Sequence, residues 1–117
     1  MKPTREADLV YVMHMLECID RITDYTADGE SAFRASRLIQ DAVIRNLQIM
    51  AESSQRVSET SRLCAPEIPW KAISGFRNVL VHDYLSLDID LIWPVVARDL
   101  PALRAGLERL RDELRAP

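Results

Sequence analysis

The sequence is poor in glycine and in aromatic residues, and it has no long apolar run. Only 3 of the 117 residues are glycine and 6% are aromatic, which argues against a β sandwich with its many tight turns. The apolar runs are only a few residues long, so no segment can span a membrane. The residues after Met1 also lack the apolar stretch of a signal peptide. These absences predict a cytoplasmic protein with no membrane partner.

Cysteine is equally scarce, with 2 residues in the chain. Cys18 and Cys64 lie far apart, and together with His14 and His82 they show no zinc spacing. A cytoplasmic protein rarely keeps a disulfide, and a free cysteine usually packs as a small apolar side chain. We therefore predict two buried free thiols, no metal site and no cofactor.

Basic charge is not in excess, because the net charge is −3 and the pI is near 5.3. This balance argues against a broadly basic nucleic-acid-binding surface but leaves room for a local basic cleft. The stretch from residue 34 to 62 supplies arginine and no lysine, and arginine favours bidentate phosphate contacts. For most of these arginines the sequence favours ordinary ion pairs on solvated helix faces; they are Arg34, Arg37, Arg45, Arg56 and Arg62.

What the chain has is helix-forming composition and helical periodicity. Its length fits one domain, residues 1–117, and its 48% hydrophobic content is ample for a core. Apolar residues at steps of three and four predict a first helix from Thr4, as N-cap, to about Tyr25, closed by Asp28-Gly29. A second, uninterrupted helix is predicted from residue 30 or 31 to about 56, followed by a loop over 58–69.

The second half also reads as helical. A third helix is predicted from residue 70 to 82 or 84, with Pro69 in its first turn and Gly75 marking the close approach of another backbone. Asp88 is a candidate N-cap of the tail, and Pro94 and Pro101 predict a kink or a restart. Leucines spaced by three and four form a seam that fits a buried bundle edge or a short coiled coil; they are Leu100, Leu103, Leu107, Leu110 and Leu114. The predicted fold is all-α, an antiparallel bundle of four to five helices.

Residues 77–84 concentrate the chemistry of the chain. Arg77 can clamp a phosphate, His82 can move a proton near neutral pH, and Tyr84 carries a modifiable hydroxyl. Asn78 and His82 are four apart and share a helix face, so Asn78 can orient the imidazole. Arg77 and His82 are five apart, roughly 140° around the helix axis. Convergence on one phosphate therefore needs a kink or a second copy of the helix, and we favour a homodimer because it also builds a basic cleft.

This segment resembles the HepT-like family of the HEPN superfamily. The resemblance rests on residues 68–84 (IPWKAISGFRNVLVHDY), 42–52 (AVIRNLQIMAE), 88–93 (DIDLIW) and 99–101 (DLP). It implies a dimeric helical toxin, a metal-independent ribonuclease encoded beside a minimal nucleotidyltransferase antitoxin. It also implies that Arg77, Asn78 and His82 form the catalytic motif, and that the antitoxin silences the toxin by transferring AMP to Tyr84.

The expected function is therefore RNA cleavage by attack of the 2′-hydroxyl, with Arg77 stabilising the phosphate and His82 acting as base or acid. Two alternatives stay open at this point. One is a non-catalytic helical dimer that binds and regulates a nucleotidyltransferase, and the other is a scaffold whose Arg77 and His82 make only structural hydrogen bonds. Asp83 fits a helix-end cap or a partner of His82. Outside the site, we expect a buried Glu52–Arg45 pair and scaffold packing by Trp93.

Overall fold

The computed structural model describes residues 4–82 and 88–117. Within these ranges the chain is helical and contains no strand, so the predicted all-α class is confirmed there. A five-residue π-helical turn, Val95–Asp99, joins the last two helices. The α-helices are α1 (Arg5–Tyr25), α2 (Glu30–Ala35), α3 (Arg37–Arg56), α4 (Glu59–Leu63), α5 (Trp70–His82), α6 (Ile89–Pro94) and α7 (Leu100–Arg115).

The first helix begins and ends where the sequence predicts. The Thr4 hydroxyl accepts a hydrogen bond from the Ala7 amide at 2.9 Å, so the N-cap is confirmed. After α1 the chain turns through Gly29, whose φ of 91° is one that L side chains rarely adopt. None of the helices in the described ranges is long and apolar enough to cross a bilayer.

The predicted second helix is wrong in one respect, because it is broken at Ser36. The backbone of Ser36 is extended, with φ −122° and ψ 110°, and its hydroxyl accepts from the Ile39 amide at 3.1 Å as the N-cap of α3. Gln40 then donates to the carbonyls of Phe33 and Arg34 at 3.0 and 3.1 Å, which satisfies the end of α2. Serine offers the backbone a local partner outside a helix, and here that preference separates α2 from α3.

The core lies where α1, α3, α5 and α7 meet. Helices α1 and α7 run antiparallel, since Arg5 contacts Glu113 and Asp20 pairs with Arg104. The leucine seam of α7 is buried in this interface, which confirms its prediction as a bundle edge. Gly106 lies against Ile68, whose Cγ1 would be 3.0 Å from an added Cβ, so the segment before α5 packs closely on α7.

The predicted loop over 58–69 contains a short helix, α4. Ser58 begins it, and its backbone amide and hydroxyl, with the Ser61 hydroxyl, all donate to the buried carboxylate of Asp8 on α1. Cys64 follows α4 and is exposed, so its predicted burial is wrong, because the residue lies at the outer end of this added helix. Cys18 is buried as predicted, and burial raises the pKa of its thiol.

Residues 88–117 form two α-helices joined by a π-helical turn, and Pro94 and Pro101 lie near the helix boundaries. Asp88 caps α6 by accepting from the Asp90 amide at 2.8 Å, which confirms the predicted N-cap. Pro94 ends α6, and the amide of Leu100 bonds the carbonyl of Val95, five residues back, before Pro101 opens α7. Trp93 packs on Phe33 with ring centroids 5.2 Å apart, so its predicted scaffold role is confirmed.

Candidate active site

Helix α5 carries the arginine, the asparagine and the histidine position of the motif. Its bounds, Trp70–His82, agree with the predicted third helix. Ile73 and Leu80 are buried toward the core, and that anchors the helix with Arg77 at the edge of its interface with α3. Positions 77 and 82 lie on one continuous helix, so their backbone positions are roughly 140° apart around its axis.

The Arg77 side chain lies partly buried against α3. Its Nη2 is 3.9 Å from Oε1 of Glu52, and its Nη1 donates a long hydrogen bond of 3.4 Å to Oδ1 of Asn78. Its Nε is buried and has no hydrogen-bond partner among the described residues. A guanidinium has five N–H donors; beyond the buried Nε and the two long contacts, Nη1 and Nη2 each keep one N–H for an anionic ligand.

Asn78 is exposed on α5, beside the guanidinium. The contact that the structure describes for it is with Arg77, whose N–H its carboxamide oxygen accepts. Its predicted role of orienting the His82 imidazole stays a prediction, because the side chain of His82 lies outside the described part. Residues 83–87 are also outside it, and with them Asp83 and the predicted modification position Tyr84.

Helix α3 brings two polar residues to α5 that sequence reasoning did not assign to the site. Glu52 reaches Arg77, and Gln48 donates from Nε2 to the carbonyl of Leu80 at 3.1 Å. The later residue on α3, Glu52, contacts the earlier residue on α5, Arg77, and the earlier Gln48 contacts the later Leu80. The two helices are therefore antiparallel. The four-residue spacing of Gln48 and Glu52 predicts a shared face, but no local pattern says that this face meets α5.

The predicted buried pair between Glu52 and Arg45 is wrong. Both residues are exposed, and Glu52 lies next to Arg77 instead. The physical reason is the α3–α5 packing, which places the Arg77 guanidinium within reach of the carboxylate.

Some of the five arginines between residues 34 and 62 pair with carboxylates of the described residues, and others do not. Arg34 pairs with Glu30 at 2.8 Å and with Asp90 at 2.5 Å, and Arg37 lies 3.6 Å from Asp41, as predicted for ordinary surface pairs. Arg62 donates to the carbonyl of Val57 at 2.8 Å. Arg45 and Arg56 have no carboxylate within 4.0 Å among residues 4–82 and 88–117. Both lie on α3, the helix that borders Arg77.

Within the described residues, two other features bear on metal or phosphate binding: the potential metal-ligand side chains and the apolar groove beside α5. Histidine, cysteine and acidic side chains form no metal-binding group of three or more within them. A groove of about 430 Å³ lies between α5, the π-helical turn and α7, with an apolar floor that includes Ile73, Phe76 and Leu103. Among the described residues that line it, the charged ones are Glu67 and Asp99, which would repel a phosphate.

Comparison with known proteins places this helical arrangement in a family. The profile described as "Ribonuclease HepT-like" matches residues 15–110, from within α1 to within α7. The chain belongs to the HepT-like family. The match spans α3 and α5, and so includes both helices of the candidate site. The resemblance predicted from the motif is thereby confirmed at the level of the family.

Curated relatives carry nuclease names. A protein of Methanocaldococcus jannaschii described as a gamma-glutamylcyclotransferase and putative RNase is 36% identical over 90% of this chain, which covers 48% of that longer relative. The "Probable ribonuclease HepT" of Thermococcus cleftensis is 32% identical over 86% of this chain and 93% of its own. The "mRNA nuclease HepT" of Shewanella oneidensis is 27% identical over 82% and 90%. No solved structure matches the chain significantly.

Proposed function

We propose that this HepT-like chain is an endoribonuclease, the toxin of a toxin–antitoxin pair, and that it cleaves RNA without a metal ion. The observation that supports this most directly is the state of Arg77. Its guanidinium is partly exposed and makes only two long contacts with described residues, so it can bind a phosphate with donors to spare. The nuclease names of the relatives agree with this substrate class.

In the proposed reaction the RNA 2′-oxygen attacks the adjacent phosphorus. His82, as base, takes the proton of the 2′-hydroxyl, the bond from phosphorus to the 5′-oxygen breaks, and an acid protonates that oxygen. The products are a 2′,3′-cyclic phosphate and a 5′-hydroxyl end. Arg77 neutralises the charge that develops on the non-bridging oxygens, and Asn78 holds the Arg77 guanidinium or the His82 ring in place.

The geometry of α5 supports a site that a homodimer completes. Positions 77 and 82 lie on one continuous helix, roughly 140° apart around its axis, and this separation favours a site to which two copies contribute. A second copy of α5 across a two-fold axis would place the arginine of one protomer beside the histidine of its partner. Gly75 lies on α5 and is exposed, and no atom of the described residues lies within 4 Å of an added Cβ. The predicted close approach is therefore not made within the described part of the chain, which leaves this surface for a second copy of α5.

Regulation by an antitoxin follows from the same motif. We propose that a minimal nucleotidyltransferase transfers AMP to the hydroxyl of Tyr84, two residues past His82 in sequence. The added phosphate would be a competing anion for Arg77, and its bulk would obstruct RNA.

The test is cleavage of RNA in excess EDTA by the wild type and by Arg77→Ala and His82→Ala. Loss of a catalytic base or of a phosphate-stabilising donor should lower kcat by about 10²–10³. Arg37→Ala is the matched control, since Arg37 is an exposed arginine paired with Asp41 at the far end of α3, and it should cleave like the wild type. Equal cleavage by all four proteins would indicate a contaminating nuclease and would refute the proposal. Tight binding to a nucleotidyltransferase without Arg77-dependent cleavage would favour the non-catalytic dimer instead.

A further inference from the structure

Glu52 occupies a position next to the proposed phosphate-binding group that the motif does not assign. It lies on α3, and its carboxylate is 3.9 Å from Nη2 of Arg77. Half of its side chain is exposed, compared with 31% of the Arg77 side chain. The pair therefore lies at the rim of the α3–α5 interface, where a ligand of Arg77 would also contact solvent.

The contact is too long and too exposed to matter much for folding. Surface ion pairs of this kind contribute little to stability, because water competes for both charges. The same contact can still affect catalysis through the orientation of Arg77. An arginine side chain has several rotatable bonds, and a misplaced guanidinium stabilises the transition state less well. Asn78 holds one end of the guanidinium through Nη1, and Glu52 faces Nη2 on the other. Nε is buried, so a phosphate would bind the second N–H groups that Nη1 and Nη2 each carry.

The rest of the α3–α5 seam makes Glu52 a fixed support. Gln48, one turn earlier on α3, holds the Leu80 carbonyl at 3.1 Å. Next to these polar residues on α3, Leu47, Met50 and Ala51 are buried. Since α3 is held against α5 by both packing and a hydrogen bond, a carboxylate on α3 can determine where an arginine on α5 points.

We infer that Glu52 is a positioning residue of the proposed ribonuclease, which holds the Arg77 guanidinium in the orientation that receives the scissile phosphate. The inference rests on the proposed function, because it concerns the same site. It predicts that loss of the carboxylate disorders Arg77 without unfolding the protein. The loss should therefore fall mainly on kcat, which reports the aligned transition state, and less on KM.

The experiment measures kcat and KM for RNA cleavage by the wild type, Glu52→Gln, Glu52→Asp, Arg77→Ala and the double variant with Glu52→Gln and Arg77→Ala. The matched control is Asp41→Asn. Asp41 lies on the same helix, is 48% exposed and lies 3.6 Å from Arg37, so it reproduces the surface pair away from the site. Thermal unfolding of each variant, at one protomer concentration, reports the folding effect.

Glu52→Gln should lower kcat by roughly 10- to 100-fold, the range in which a small misplacement of a catalytic group falls. Its KM should change by less than about threefold, since the loss is one of transition-state rather than ground-state binding. Glu52→Asp should recover part of kcat because it keeps the charge. In the Arg77→Ala background, Glu52→Gln should cost nothing more, because the group that it positions is gone.

Three results would overturn the inference while leaving the proposed function intact. Wild-type kinetics in Glu52→Gln would mean that the pair is only a surface contact. A lower KM with unchanged kcat would mean that Glu52 competes with RNA for Arg77. A further loss in the Arg77→Ala background would mean that Glu52 acts independently of the arginine. Wild-type cleavage that does not depend on Arg77 would instead refute the proposed function, and this inference with it.

Discussion

Asp8 offers a quantitative test of how the helices are held together. Asp8 is only 3% exposed, and its carboxylate accepts three hydrogen bonds from the start of α4. They come from the Ser58 amide at 2.9 Å, the Ser58 hydroxyl at 2.5 Å and the Ser61 hydroxyl at 2.6 Å. Replacing Asp8 with alanine would leave buried donors on α4 without their acceptor.

The expected cost follows from these three contacts. A hydrogen bond to a charged group contributes about 1.5–3 kcal/mol, and such contributions do not add in full when the groups share one acceptor. A buried donor left without its acceptor costs about 1–3 kcal/mol, so the loss of all three contacts should cost about 3–5 kcal/mol in total. We expect Asp8→Ala to lie in that range. Asp8→Asn keeps the shape and one acceptor oxygen and should cost about 1–2 kcal/mol.

The pH dependence has a definite sign. Burial alone would raise the pKa of Asp8, but the hydrogen bonds from Ser58 and Ser61 and the nearby charge of Arg62 bring the pKa below its ordinary value of 3.8. A carboxyl whose pKa is depressed by folding stabilises the folded state above the unfolded pKa. That contribution is lost as the pH falls through the folded value. The difference between the wild type and Asp8→Asn should therefore be constant from pH 7 to about 5 and shrink below about 4.

Denaturant unfolding monitored by far-UV circular dichroism measures these differences, with the protomer concentration held constant because a dimer shifts the midpoint. Asp20→Asn is the control on the same helix. The Asp20 side chain is 52% exposed and pairs with Arg104 on the surface, so its loss should cost about 0–1 kcal/mol. If Asp8→Ala cost no more than Asp20→Asn, the reasoning from burial and hydrogen bonding would be refuted. So would a penalty that grew on acidification.

Two further predictions concern the dimer and its regulation. Gly75→Ala should stabilise the protomer by up to about 1 kcal/mol, since alanine favours a helix and no described atom lies within 4 Å of the new Cβ. The same change should weaken the dimer in sedimentation velocity, and an unchanged dissociation constant would exclude close helix approach at Gly75. After co-expression with a minimal nucleotidyltransferase, peptide mass spectrometry should find AMP on Tyr84 and none on the exposed Tyr25; modification of Tyr25 alone, or of neither, would contradict the proposed role of Tyr84.

Local signals account for the parts of the structure that the sequence predicted well. The caps at Thr4 and Asp88 and the extent of α5 follow from side chains within a few residues of each boundary. The break at Ser36 also has a local signal, because a serine can cap the helix that follows it. The same serine, however, also fits the interior of a long helix. The apolar periodicity favoured one continuous helix. In the structure the helix is broken, and Gln40 hydrogen-bonds to the carbonyls at the end of α2.

The candidate site was predictable only along one helix. Arg77 and Asn78 lie within eight residues of Tyr84, so a motif finds them. Glu52 contacts Arg77, which is 25 residues later in the sequence, and Gln48 contacts Leu80, which is 32 residues later. Helix packing brings these residues together. The orientation of α3 depends on which apolar residues enter the core, and that choice is made jointly by α1, α5 and α7. No single-segment pattern contains this information.

The acidic composition of the chain does not conflict with phosphate binding, because some arginines are not paired with a carboxylate of the described residues. Described ion pairs join α2 to α6 through Arg34 and Asp90, and α1 to α7 through Asp20 and Arg104. In these pairs a carboxylate neutralises the arginine. On α3, Arg45 and Arg56 have no carboxylate within 4.0 Å among the described residues, and they flank the turns that carry Gln48 and Glu52. Since salt screens charges beyond about 8–10 Å, RNA at α5 would respond to this local field and much less to the net charge of −3.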